Sequence, residues 1–425
     1  MRRAAREARA AALLLAALCV LSLDGCRMNE PNQSANKNAP APTPARAGGD
    51  DADPLSIHRE AILVDMHADT VQRMIDEGAD INRRLADGHL DAVRARAGGL
   101  DAQFFSIWVE PQYFGVGGER AVGRADKQIA AVRALASERP DLWTLATSAE
   151  DVRRAAREGK IAALLGLEGG YAIDEKIENV QKYFDLGVRY MSPTWTVSTS
   201  WAGSSGDAAG ASRGLSDFGR EVVREMNRLG IMVDVSHVSD KTFWDIVETS
   251  RKPVIASHSA VRSIVPHPRN LTDDQIRALA RTGGVVSVVF YPAFVEPGWA
   301  EKKERVDAEI AAEVAEASRR EQGTATQKRA ARDRVREREY SKRMPRVSVA
   351  RIVDHVDHVV RLVGVDHVGV GSDFDGIQAV PADLSTAEDF PNLTKELLRR
   401  GYTASDVRKI LGGNILRVLE EVSRK

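Results

Sequence analysis

The chain has 425 residues, 43% hydrophobic and 28% charged, with a formal net charge of −1. This is ordinary globular composition with ample length for a large core. No block of like charges and no basic stripe interleaved with aromatics is present, so nucleic acid is not among the expected partners.

The N-terminus reads as a targeting segment over residues 1–25. Arg2, Arg3, Arg6 and Arg9 form a basic region, and Ala10 to Leu23 is an apolar run too short to span a membrane. It ends in Leu23-Asp24-Gly25-Cys26, which resembles a bacterial lipoprotein cleavage box with an unusual Asp24. An ordinary secretory signal with an incidental cysteine is the alternative. The chain has 2 cysteines, Cys19 and Cys26. Cys19 would leave with the signal and Cys26 would carry the lipid, so an exported domain would hold no disulfide. The expectation is a lipid-anchored protein of the bacterial cell envelope facing the periplasm. Arg27, in place of an Asp after the lipidated residue, favours the outer membrane. Residues 26–54, rich in Asn, Pro, Ala and Gly, read as a disordered tether.

Residues 55–425 read as one domain. Short β-like runs alternate with stretches of helical periodicity. The candidate strands are Ile62–His67, Ala102–Val109, Ile161–Glu168, Val188–Thr194, Ile231–His237, Pro253–His258, Gly284–Tyr291 and His367–Asp373. Helical segments between them include Glu119–Ser137, Asp174–Leu186, Ser216–Leu229, Asp240–Thr249, Asp273–Arg281 and Val347–Val363. Eight strands alternating with helices predict a (β/α)8 barrel of the TIM type. An open doubly wound sheet is the alternative, but no Gly-x-Gly-x-x-Gly opens the first helix. Residues 299–346, dense in Glu, Lys, Arg and Ala, read as a helical insertion after the seventh candidate strand. It is either a lid over the barrel mouth or a solvated surface excursion.

In such barrels the active site lies at the C-terminal ends of the strands. The first strand ends in His67-Ala68-Asp69, and residues two apart in an extended chain point to the same side. An imidazole and a carboxylate can therefore meet on one divalent cation. The third strand ends in Glu168-Gly169-Gly170, the fifth in Asp234-Val235-Ser236-His237, the sixth in Ser257-His258-Ser259. The eighth ends in Ser372-Asp373-Phe374-Asp375-Gly376. Burying Glu168 behind the apolar run Ile161 to Leu167 is costly unless a cation lies beside it. Its two oxygens could bridge two metals about 3.5–4 Å apart, and Gly169 and Gly170 would let the backbone approach closely.

These residues resemble the membrane (renal-type) dipeptidases, zinc dipeptidases among the metallo-dependent hydrolase barrels, from about Ile57 to Val422. The resemblance is carried by Asp65-x-His67-x-Asp69, Leu167-Glu168-Gly169-Gly170, Gly187-x-Arg189-Tyr190, Asp234-x-Ser236-His237 and Ser257-His258-Ser259-Ala260. Pro268-Arg269-Asn270, Gly371-x-Asp373-Phe374-Asp375-Gly376 and Gly413-Asn414 complete it. It implies two Zn2+ per chain, one held by His67 and Asp69, the other by His237 and His258, with Glu168 bridging where related hydrolases use a carboxylated lysine. A hydroxide between the metals would attack the peptide carbonyl of a dipeptide. The resemblance also implies that Asp373 carries the proton to the leaving amine and that Arg269 grips the C-terminal carboxylate. Trp195 stands where better-known members have a substrate-contacting histidine, and Phe294 where they have a tyrosine. Trp195 is expected either to face the substrate or to pack on the barrel rim.

The remaining histidines give weaker signals. His355 and His358 share a helix away from the strand ends, His267 lines the mouth beside Arg269, and His58, His89 and His367 have no convergent partner. Asp375 is expected to cap or orient a loop near Asp373. A related binuclear metal amide or lactam hydrolase and an inactive barrel acting as a binding lipoprotein are the competing functions. Expected partners are a dipeptide and, through the anchor, the membrane, with a homodimer left open.

Overall fold

The apolar runs form strands where the sequence places them. The computed structural model describes residues 53–114 and 119–424; the expected signal segment, Cys26 and most of the tether lie outside these. The strands are β1 (Leu63–Ala68), β2 (Leu100–Trp108), β3 (Trp143–Leu145), β4 (Ile161–Glu168), β5 (Val188–Ser192), β6 (Met232–Asp234), β7 (Val254–Ser259), β8 (Val285–Val288) and β9 (Val368–Val370). All pairings are parallel, and β2 pairs with both β1 and β4, which closes the sheet. The eight strands other than β3 make a (β/α)8 barrel with helices around it. Strands covered on both faces can be apolar throughout, and every residue of β4 is buried.

The differences from the sequence reading have local causes. β3 was not foreseen: three residues long, it adds to the start of β4, below the stretch that β5 occupies. β6 stops at Asp234, well before His237, because the Asp234 carboxylate accepts from the amides of Ser236 and Ser257, at 3.0 and 2.9 Å. A side chain that takes backbone donors ends the ladder. The helix expected from Asp174 begins at Glu178, since Asp174 and Glu175 hold left-handed backbone, φ 51° and 53°. β9 ends at Val370, after which the chain crosses the end of β1. There the Asp373 amide donates to His67 O at 3.0 Å, and the Asp69 amide to Phe374 O at 2.8 Å.

Apolar residues from the lower part of the strands, among them Val64, Phe104, Leu164 and Ile255, pack with Ile415 and Leu419 of the last helix. That end of the barrel is therefore filled, and the opposite end carries the polar strand termini. The insertion consists of two helices, Trp299–Arg320 and Ala325–Arg343. Among the described residues no helix is long and apolar enough to cross a membrane.

Candidate metal centre

The five expected ligands converge at the C-terminal end of the barrel. Glu168 ends β4 and is 3% exposed. Its Oε2 lies 3.4 Å from His67 Nε2, and its Oε1 lies 2.9 Å from His237 Nε2 and 3.8 Å from His258 Nε2. One carboxylate thus turns one oxygen to each side of the cluster. His67 Nε2 also lies 3.5 Å from Asp69 Oδ2, and the Nε2 atoms of His237 and His258 are 2.9 Å apart. His67, Asp69 and Asp373 offer ligand atoms within 4.8 Å of one another, as do His67, Glu168 and His258.

Three of the five, His67, His258 and Glu168, are held by a partner behind them. Tyr190 Oη meets His67 Nδ1 at 2.8 Å, which leaves Nε2 for the cluster. The Tyr190 ring itself sits in the apolar layer below, so the barrel core fixes the ligand. Ser257 Oγ meets His258 Nδ1 at 2.8 Å and donates to Asp234 Oδ2 at 2.6 Å. Ser106 Oγ donates to Glu168 Oε2 at 2.8 Å. Such outer partners set the tautomer and orientation of metal ligands. Gly169 adopts φ 88°, turning the chain directly after Glu168. At Gly376 a Cβ would lie 2.2 Å from Asp69 Oδ2 and 2.4 Å from Asp373 Oδ1, so both carboxylates need this position bare.

The residues fit divalent cations. Among the described residues, His67 Nε2 and Asp69 Oδ1 are buried without hydrogen-bond partners, a costly state for polar atoms. Burial, aided by Arg269, lowers His237 to about 4, and burial holds His258 well below its usual range. Both imidazoles are therefore neutral, the form that binds metal. Burial alone would raise Glu168, but His67 and His237 hold it well below the ordinary carboxylate value. Burial alone would lower His67, yet Tyr190 and Glu168 draw it well above. The Asp69 and Glu168 carboxylates beside it carry the charge that a cation would offset.

Around this cluster lies a cavity of about 380 Å³ whose lining includes Trp108, Trp195, Arg269, Tyr291, Arg329 and Asp373. Burial, more than the neighbouring Asp69 and Glu168, pushes the Asp373 carboxyl well above its ordinary value. Its backbone is left-handed, φ 64°. Arg269 is 6% exposed, donates through Nη2 to His258 O at 3.2 Å, and leaves Nη1 buried without a partner among the described residues. Asn270 holds that loop in place by donating to Phe294 O at 2.7 Å, and the Phe294 ring lies under the guanidinium, 5.4 Å away. Trp195 lines the cavity, with its ring 4.7 Å from Trp108 and 6.4 Å from His237.

The other histidines play structural parts. His355 accepts from the Val261 amide and meets Val295 O, both at 3.0 Å. His358 pairs with Asp273, His58 with Thr394 and Gly98 O, and His367 with Gly284 O. His89 does have a converging partner: Asp375 accepts from its amide at 2.8 Å and donates its own amide to the ring at 2.9 Å. Asp375 also accepts from Thr70 Oγ1, so it orients the loop after β9 against that after β1. His267 lines the cavity and accepts from the Arg269 amide. The sequence reading missed Arg329 and Trp108. Trp108, the last residue of β2, was findable by its strand-end position; Arg329 carried no local signal.

Comparison with known proteins shows the family. The family model for membrane dipeptidase, peptidase family M19, matches residues 53–425. The chain is 34% identical to dipeptidase aclJ of Aspergillus oryzae (strain ATCC 42149 / RIB 40) over 341 residues, 79% of this chain and 70% of that one. Among solved structures it is similar to the probable dipeptidase PvdM from Pseudomonas aeruginosa. That likeness has a TM-score of 0.74 and 27% identity, and covers 87% of this chain and 97% of that one. It is also similar to the metallopeptidase dipeptidase AC, with a TM-score of 0.68 and 25% identity over 85% of this chain and 98% of that one. The chain belongs to the membrane dipeptidase family, the metallopeptidases of family M19.

Proposed function

We propose that this dipeptidase uses two zinc ions, one on His67 and Asp69, the other on His237 and His258, bridged by Glu168. The observation that carries the reading is the placement of the two Glu168 oxygens toward opposite halves of the ligand set. Bound there, the ions would polarise the scissile carbonyl and bring the pKa of water toward neutrality. The chain's own residues do the rest. Arg269 holds the substrate's free C-terminal carboxylate with the buried Nη1 that has no other partner. Asp373 sits between the ligands and Arg269 and carries a proton to the departing amine. Trp195 supplies an apolar wall, and its Nε1–H is a donor that cannot become charged. An inactive barrel gains no support from a site in which all five ligand residues and Asp373 converge.

The test is metal analysis of the purified protein beside a panel of dipeptides, free and C-terminally amidated. The expected result is two zinc ions per chain and cleavage of free dipeptides at least about tenfold faster than of their amides, the worth of a charge-assisted contact. Arg269→Ala should raise KM and flatten that ratio, while Trp195→His should reorder the panel by side chain. Equal cleavage of amides by the wild type, or a single metal at saturation, refutes the assignment.

The N-terminal segment supports a second part of the reading: residues 1–25 as a signal, lipid on Cys26, residues 26–54 as a tether and the catalytic domain held at the envelope on the periplasmic side. Cys26→Ser should move the protein from the membrane to the soluble fraction. Sedimentation with membranes that this substitution does not change would rule the anchor out.

A further inference from the structure

Among the described residues, the insertion after β8 reaches the cavity through one residue. Arg329, on the second insertion helix, lines the wall together with Trp108 and Asp69. Its guanidinium carbon lies 4.5 Å from the centre of the Trp108 ring, a cation–π contact. Trp108 in turn packs on Trp195, so the wall runs from the insertion to the metal ligands without a break. Arg329 and Asp69 line this same wall. Its ion-pair partner among the described residues is Asp333, at 3.5 Å from Nε, and Asp333 is shared with Arg336 at 2.9 Å. Trp108 is 5% exposed, and its Nε1–H has no acceptor among the described residues. This wall therefore offers a cation that is only partly neutralised and a buried donor without a partner.

Two guanidiniums thus flank the ligand cluster at different ends. Arg269 stands by His258 and Asp373, and Arg329 stands by Asp69 and Trp108. A dipeptide whose carboxylate lies on Arg269 crosses the cluster and points its N-terminal residue toward the Trp108 wall. This orientation rests on the role given to Arg269 above.

We propose that Arg329 is a specificity-determining residue that selects dipeptides with an acidic N-terminal side chain, glutamyl or aspartyl, over neutral and basic ones. The carboxylate of that side chain accepts from Arg329 and from the Trp108 indole, and the flat aromatic surface carries its methylenes. A basic side chain would face the guanidinium and be disfavoured by like charge. The Arg329 side chain is 36% exposed, so water and salt screen the contact and its effect is moderate.

The experiment compares kcat/KM for Glu-Ala, the isosteric Gln-Ala and Lys-Ala on the zinc-loaded full-length enzyme. The expected Glu-Ala to Gln-Ala ratio is about ten, from one charge-assisted contact, with Lys-Ala the poorest of the three. Arg329→Gln should bring the ratio to about one, Arg329→Lys should keep part of it, and 0.5 M salt should reduce it in the wild type. A wild-type ratio of one or less overturns the proposal, as does a ratio that survives Arg329→Gln. Failure of the underlying orientation has a separate signature. If amidated Gln-Ala is cleaved as fast as free Gln-Ala, the Arg269 assignment falls and this inference falls with it. A flat Glu/Gln ratio beside clear discrimination against amides removes Arg329 alone.

Discussion

Glu168→Gln is expected to lower kcat/KM by about a thousandfold or more and to leave the purified protein short of one metal ion. Loss of outer partners of metal ligands alone costs about 10–100-fold in affinity or activity. Glu168 faces both halves of the site, within 3.4 Å of His67 and 2.9 Å of His237. The amide keeps the size of the side chain, and its oxygen can still accept from Ser106, so the fold should persist. It removes the negative charge that would offset the two proposed cations, and it turns one oxygen into a nitrogen that has no lone pair to give. Metal content by mass spectrometry under native conditions, read beside kcat/KM, gives the answer. Two ions per chain together with activity within tenfold of wild type would show that Glu168 is not the bridge.

Asp373→Asn should act on kcat instead, by about 10²–10⁴-fold, the usual worth of a positioned acid or base, with little change in KM or metal content. Burial raises this carboxyl well above its usual range. It can therefore hold a proton at a pH where an exposed aspartate could not, as a donor to a leaving amine requires. Asparagine tolerates the left-handed backbone, here φ 64°, so the substitution removes the titratable group and keeps the loop. Single-turnover and steady-state rates on one dipeptide separate the chemical step from binding. A kcat within about threefold of wild type would end the role assigned to Asp373.

The barrel was legible because parallel strands buried on both faces write themselves as unbroken apolar runs, as Ile161–Leu167 does. The convergence of His67, Asp69, Glu168, His237 and His258 was legible because they stand at or just beyond the ends of such runs, where an ionisable side chain has no reason to be buried by itself. Strand ends were less so. Met232–Asp234 stops early because Asp234 captures amides across the strands, an event no local pattern records. Trp143–Leu145 is too short for periodicity to register. Arg329 could not have been found: its helix is charged on most sides, and nothing nearby tells the arginine facing the cavity from those in water. Only the return of the insertion over the barrel singles it out. The expectations for residues 1–25 and Cys26 lie outside the described residues and stand as proposals.

The crossing of the chain after β9 over the end of β1 has a consequence in time. Ser372 donates through its amide and hydroxyl to Asp65, 307 positions earlier, at 2.7 and 2.6 Å. The same crossing brings Asp373 to His67 and Asp69. His67, the first of the candidate ligands to be synthesised, thus waits for the last strand before it has Asp373 beside it. Contacts of such long separation are made late, since the chain must be gathered before they can form. A nascent chain, or one halted before residue 373, holds metal-binding side chains without a complete hydrolase. Hydrolytic competence marks the finished barrel, and the unfinished one is latent.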